Sequence, residues 1–404
     1  MRKHKRKKEI GGVGGNENGS VPRESDGGRK HKMTVIHQAL IRDPVDIEAL
    51  RRAAAGNRGL LTDELRRKVW PKLLNINVYN LPHKPASGRE VRENHKDYNQ
   101  VVLDVRRSMK RLPPGMPASE RAVLQEQLID VILEVLKRNP QLHYYQGYHD
   151  VAVTLLLVVG ERMSIAMLDI LSNFHLRDFM DPTMDSTKHI LNYLMPILEQ
   201  VDAELHDFMV RAEVGTIFAL SWLITWYGHV LSEFRHTLRL YDFFLASHPL
   251  MPIYLAATIV LHREKEVKQT ECDMAMVHHL LSHIPQDLPY ELLIGQAQDL
   301  FQQFPPSMLA KRAALQSDKS SLSISSFQAF HLSTLHQRPD SVLQRLTRAQ
   351  GSTTSRHARG PLRREGNRMM KMAVWGLSAT LGAAVFAVAQ TAMDWGPDLI
   401  LQLF

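Results

Sequence analysis

Apolar residues in the middle of this chain recur with a helical period. Leu124, Leu128, Ile132 and Leu136 stand four apart and define one face of a helix. That helix is expected to stop before Asn139-Pro140, because a residue preceding proline avoids the α region. Val151 to Val159 is an apolar run broken only by Thr154. Period alone leaves strand and buried helix open there, and the helical neighbours favour helix. The run is too short to cross a bilayer. No strand–helix alternation and no Asn-Gly or Asp-Gly hairpin signal interrupts residues 34–312. The pattern predicts an all-α domain over that range.

On either side the pattern changes. Residues 1–33 open with the charge run Arg2–Lys8 and continue through a stretch rich in Gly, Asn and Ser. Too little apolar surface is present to offset the entropy of ordering, so a disordered basic tail is expected. Residues 313–371 turn to Ser, Gln, Arg and Gly, with Ser320–Ser326 and Gly351–Ser355 as linker chemistry. A flexible basic linker is expected there, with a short helix near Phe327–Leu335.

Met372 to Ala389 carries no charge over eighteen residues, the lower end of what spans a hydrocarbon core of roughly 30 Å. Arg363, Arg364, Arg368 and Lys371 lie just upstream, and no Lys or Arg follows. The positive-inside rule then predicts one C-terminal transmembrane helix, 372–389, with the upstream side cytosolic and Trp375 and Trp395 near the two interfaces. Residues 390–404 form a short lumenal tail on this reading, its apolar end Leu399–Phe404 re-entering the interface or lying along it. A buried helix of a soluble protein is the alternative, and the lack of any polar face argues against it. The N-terminus has no apolar core of the kind a secretory signal carries.

Composition narrows the class. Of 404 residues, 44% are hydrophobic and 23% charged, enough apolar material for a sizeable core. The single cysteine, Cys272, excludes a disulfide framework and a multi-cysteine metal site, and it fits a reducing compartment. The net charge of +8 sits in the tails: ten Lys/Arg against four Asp/Glu in 1–33, and nine against two in 338–371. With only Asp394 and Asp398 charged beyond residue 371, residues 34–337 carry −3. A body of that sign argues against a nucleic-acid partner.

Two short stretches hold candidate chemistry. In Val101-Val-Leu-Asp-Val-Arg-Arg107, Asp104 precedes Arg107 by three residues and shares its helical face, whereas Arg106 points elsewhere. In Tyr144-Tyr-Gln-Gly147, Gln146 stands just before a glycine. Arginine offers a permanent charge in a planar fork suited to phosphate oxygens. Glutamine can hold a water in line for attack on a nucleoside triphosphate. Taken singly, the first is better read as a surface salt bridge and the second as a packed loop with a tight bend. His149-Asp150 with His143, Asp181 and Asp185, and the pair His279/His283, are the candidate metal ligands. Local packing accounts better for His149, and the absence of an acidic residue between His279 and His283 excludes a His-Glu-x-x-His protease.

In this order, the stretches resemble the TBC domain family of Rab GTPase-activating proteins. Its I-x-x-D-x-x-R motif stands here as Val101/Asp104/Arg107, and its Y-x-Q-G motif as Tyr144/Gln146/Gly147. Leu65–Leu74, with Arg66 and Trp70, resembles the opening L-R-x-x-V-W-x-x-L-L element. Ser221–Trp226 resembles a W-x-x-T block, and Arg239–Leu245, with Asp242, an R-I-W-D-x-F-L block in which Tyr241 takes the tryptophan position. The resemblance covers about residues 56–300. It implies an all-helical Rab GAP domain at 34–312, with Arg107 and Gln146 as two fingers supplied in trans to a GTP-bound Rab. Asp104, Tyr144, Gly147, Trp70, Arg66 and Asp242 would support them. It implies no cofactor of the chain's own, since GTP and Mg²⁺ travel with the Rab, and a place on the ER membrane or Golgi with the domain cytosolic. The rival is a membrane-anchored Rab-binding adaptor without activity, which would usually lack one finger.

Overall fold

A computed structural model describes residues 26–82, 92–108, 116–314 and 321–356, and among them there are helices and turns but no strand. The first part runs α1 (Asp26–Ile41), α2 (Ile47–Ala55), α3 (Asp63–Leu73), α4 (Tyr98–Ser108), α5 (Ala118–Arg138), α6 (Tyr148–Val159) and α7 (Glu161–Asn173). A 3-10 turn, Arg177–Met180, leads to α8 (Asp185–Leu191), α9 (Leu194–Val201) and α10 (Ala203–Arg211). Then come α11 (Leu220–Ile224), α12 (Phe234–Leu245), α13 (Met251–His262), α14 (Glu264–Gln269), α15 (Met274–Ser282), α16 (Tyr290–Gln303) and α17 (Pro306–Ala314). Two more helices, α18 (Leu322–Ser333) and α19 (Asp340–Arg356), close the described chain.

The period-four stripe of α5 is its buried face, and the helix ends at Arg138 before Asn139-Pro140. The Val151–Val159 run lies in α6, which packs against α3, α4, α5 and α7. A helix covered on so many sides has no need of a polar face. The same holds for α13, whose residues Met251 to Val260 are all buried, with α9 and α16 against it.

One polar cluster ties the two ends of the domain together. The Asp242 carboxylate on α12 is fully buried and accepts from Arg66 Nε (3.0 Å) and Nη2 (2.9 Å), Trp70 Nε1 (2.8 Å) and the Leu60 amide (2.9 Å). Burial pushes this carboxyl up, and the Arg66 guanidinium opposes that shift.

Two boundaries differ from the sequence expectations. Helix α1 begins at Asp26, inside the stretch expected to be a disordered tail over 1–33, because Ile36 and Ala39 dock it on α2 and the helix extends back from that contact. More of the 313–371 stretch is built than a flexible linker with one short helix. Ser321 accepts from the Ile324 amide and caps α18, a role serine fills as readily as a linker. Phe330 stacks on Phe174 with ring centroids 4.4 Å apart. Beyond α18, Arg51 Nη2 donates to Thr334 Oγ1 (3.1 Å), Gln337 Nε2 to the Lys72 carbonyl (2.7 Å), and buried Lys72 pairs with Asp340 at 2.7 Å. Residues 321–340 are thus a strap fastened across α2 and α3. Contacts group the chain into one unit ending at Leu346 and a second beginning at Thr347. The span expected at 372–389 and the tail at 390–404 lie outside the described residues, among which no helix is long and apolar enough to cross a membrane.

Candidate functional site

Helix α4 turns Val101, Asp104, Val105 and Ser108 inward and leaves Arg106 and Arg107 on its outer side. Asp104 is only 1% exposed, whereas the Arg107 side chain is 68% exposed, and their charged ends stand 3.6 Å apart. A pair so divided between core and solvent contributes little to stability. Its effect is to hold one edge of the guanidinium beside Asp104 while most of the side chain stays exposed to meet something else. Asp104 Oδ1 also accepts from Gln100 Nε2 at 3.0 Å, and Oδ2 from the Tyr144 phenol at 3.0 Å. Burial and the neighbouring Asp104 carboxylate push the Tyr144 pKa up, so the phenol remains a donor.

Tyr144 belongs to the loop that delivers Gln146. Next along, Tyr145 donates to the Ile224 carbonyl (2.9 Å) and meets the Phe179 ring edge-on. Gln146 itself is exposed, and Gly147 turns the chain into α6 at φ +116°. A Cβ on Gly147 would lie 3.0 Å from Thr225 Cγ2, so both the backbone sign and the close approach of α11 require glycine. Arg107 and Gln146 therefore line one cleft of roughly 490 Å³, with Asp104, Phe179, Thr187, Ile224, Thr225 and His229 among its walls. Arg106 is not among the residues lining it. Arg66, Trp70 and Asp242 form their own buried cluster and do not line this cleft; their part is to hold α3 to α12.

Two features of the site lie beyond the motifs. Asp150, buried at the start of α6, has His229 Nδ1 at 3.3 Å and His149 Nε2 at 3.6 Å, and His149 Nδ1 is 3.2 Å from the Tyr144 oxygen. The His149-Asp150 pair thus joins the Tyr144 network. His229 had no signal in the sequence. No group of three or more His, Cys, Asp or Glu that could hold a metal ion occurs among the described residues, and His143, Asp181 and Asp185 do not gather around His149. Asp181 instead pairs with Arg177 and accepts from Ser186 Oγ at 2.6 Å.

Residues 63–268 match the Rab-GTPase-TBC domain, a stretch that holds every motif residue of the cleft. The chain belongs to the Rab-GTPase-TBC domain family. Within this TBC family it is 62% identical over 376 residues to TBC1 domain family member 20 of Homo sapiens, covering 93% of each chain. The protein of the same name in Mus musculus is 59% identical over 98% of each. GTPase-activating protein gyp10 of Schizosaccharomyces pombe is 32% identical over 254 residues, 62% of this chain and 67% of that one. The solved Ypt/Rab-GAP domain of Gyp1p superposes on 68% of this chain and 98% of its own with a TM-score of 0.54; at 15% identity that likeness speaks for the TBC fold alone. The strap at 321–340 lies beyond the matched TBC region.

Proposed function

We propose that this chain accelerates GTP hydrolysis by a GTP-bound Rab, supplying Arg107 and Gln146 in trans. The observation that carries this is the Tyr144–Asp104 hydrogen bond, which fastens the arginine helix to the glutamine loop and leaves both functional heads on one open cleft. Phosphoryl transfer needs charge stabilisation and a positioned water more than it needs covalent chemistry. Arg107 would enter beside the phosphates and stabilise the charge that builds there, an interaction worth more in the sealed transition state than in the ground state. Gln146 would orient the attacking water. GTP and Mg²⁺ come with the Rab, and the chain needs no cofactor of its own.

The sequence also supports a proposal for the location. A span at 372–389 with basic residues upstream would hold the domain on the cytosolic face of a membrane. Its small residues suit a thinner bilayer such as the ER, so a Rab of the ER–Golgi route, and with it vesicle transport, is the substrate we propose.

The test is hydrolysis by a panel of GTP-loaded Rabs with wild type, Arg107→Ala and Gln146→Ala. A finger arginine supplies ~10³–10⁵ in rate, so Arg107→Ala should abolish stimulation while leaving the melting temperature in place. Full stimulation by that variant would show the assignment to be wrong.

A further inference from the structure

The 3-10 turn Arg177–Met180 touches the strap on one side and the glutamine loop on the other. Asp178 is almost fully buried. Its Oδ1 accepts from the Leu322 amide (3.0 Å), and its Oδ2 accepts from Ser321 Oγ and from the Ser323 amide (3.4 Å). The carboxylate therefore caps the first turn of α18 from outside that helix. The next residue, Phe179, presents its ring to Tyr145 with centroids 6.0 Å apart. The residue after that, Met180, accepts from the His143 amide at 2.9 Å. Three consecutive residues thus contact the strap, the side chain preceding Gln146, and the backbone three residues before Gln146.

We propose that Asp178 is a positioning residue for Gln146, and that seating of the strap through Asp178 sets the pose of the glutamine loop. This rests on the role given to Gln146 above. The physical coupling is the cost of a buried carboxylate without donors. While α18 is seated, Asp178 has three donors from the strap; when α18 lifts, the charge keeps none of them and must reach water. A four-residue turn has little slack to let one end move while the other stays, so Phe179 and Met180 move with it. On its far side the turn is held by the Arg177–Asp181 pair and by Thr187 Oγ1 donating to the Asp178 carbonyl (3.3 Å), which leaves the strap side as the one that can open. The strap continues toward α19 and the proposed membrane span, so load on the anchor would reach the glutamine finger by this route.

The experiment uses the full chain and two readouts, hydrogen exchange of the backbone and steady-state GTP hydrolysis by a Rab that the wild type stimulates. Phe330→Ser removes the stacking on Phe174 and leaves the turn's own sequence intact. It should raise exchange in 322–333 and at the His143 amide together, and lower kcat about ten- to a hundredfold with KM within about twofold, as for a misplaced catalytic group. Asp178→Ala should do the same, and Asp178→Asn, which keeps one acceptor oxygen, should recover much of the loss. If Phe330→Ser does not fold, Ser321→Ala weakens the same junction without touching the core. Faster exchange in 322–333 with the His143 amide and kcat unchanged would overturn the proposal. A wild type that stimulates no Rab would instead sink the finger assignment, and the exchange data would still decide whether strap and loop move together.

Discussion

The Tyr144 phenol donates a 3.0 Å hydrogen bond to Asp104 Oδ2, joining two motifs that lie forty residues apart. The carboxylate is buried, and it has Arg107 on its other oxygen. Replacing Tyr144 by Phe keeps the ring and removes the donor. The expected cost is about 1–3 kcal/mol, the penalty for an under-satisfied buried acceptor. GAP activity should fall further than the loss of folded protein explains, because the carboxylate beside the Arg107 guanidinium is no longer held in place. Thermal melts alongside kcat measurements separate the two effects; equal activity per folded molecule would contradict this account.

Arg106 and Arg107 are adjacent and both exposed, and Arg107 alone of the two lines the cleft, with its Nη1 3.6 Å from Asp104. Arg106→Ala should retain kcat within about threefold while Arg107→Lys loses most of it, since an ammonium cannot reproduce the planar two-pronged contact with phosphate oxygens. Parallel hydrolysis curves for the two variants check the ranking. The reverse order would move the finger by one residue.

Gly147 sits at φ +116° with Thr225 Cγ2 where a Cβ would press. Gly147→Ala should destabilise the domain by about 1–3 kcal/mol, the range for an L-residue forced into such backbone. Chemical denaturation measures this directly. A stable, active Gly147→Ala protein would mean that the loop can be re-formed without the left-handed turn.

Asp242→Ala removes the acceptor shared by Arg66, Trp70 and the Leu60 amide, leaving a buried guanidinium with Asp63 alone at its Nη1. A loss of about 3–5 kcal/mol is expected, enough to make the domain fail to accumulate as soluble protein. Because this cluster is not part of the cleft, any folded fraction should keep its activity, which activity per mole of monomer on a sizing column would reveal.

His175 is held neutral among the rings of Trp226, Phe327 and Phe330. Burial, with Arg51 and His248 adding to it, pushes its pKa down to about 3. The unfolded chain takes up a proton below about pH 6.5 and the folded one does not, so stability is full above that pH. Between there and pH 4 it should decline by about 1.4 kcal/mol per pH unit from this one group. His175→Phe should flatten the acid limb of the melting-temperature profile. An unchanged limb would show that other groups govern it.

Much of the site was legible because its parts are local. Asp104 and Arg107 are one helical turn apart, and Tyr144 to Gly147 are contiguous, so both stretches stood out in the sequence, although their spacing fitted a salt bridge and a packed loop and only the family resemblance suggested roles for them. The α5 stripe was legible for the same reason. What escaped were relations that only tertiary contact creates. His229 comes to Asp150 from seventy-nine residues away with nothing in its neighbourhood to mark it. Asp178 takes its meaning from Ser321, 143 residues on. Of the strap only the short helix was anticipated, because serine-rich composition describes both a linker and a helix cap. Its two aromatic anchors, three residues apart, carry more information than the polar residues around them.

If residues 372–389 span a membrane as proposed, the Lys72–Asp340 pair would set the length of the leash. A linker of residues 313–371 at full extension would reach about 200 Å, whereas chain leaving Asp340 has a helix of about 25 Å and fifteen further residues, about 50 Å at most, before Met372. With the span proposed at 372–389, the volume a domain can search shrinks by some twentyfold, and the encounter concentration with a Rab on the same patch of membrane rises by the same factor, into the millimolar range. At such concentrations a weak grip on the GTPase is sufficient, and turnover would depend on how quickly the fingers seat rather than on how tightly the partners hold.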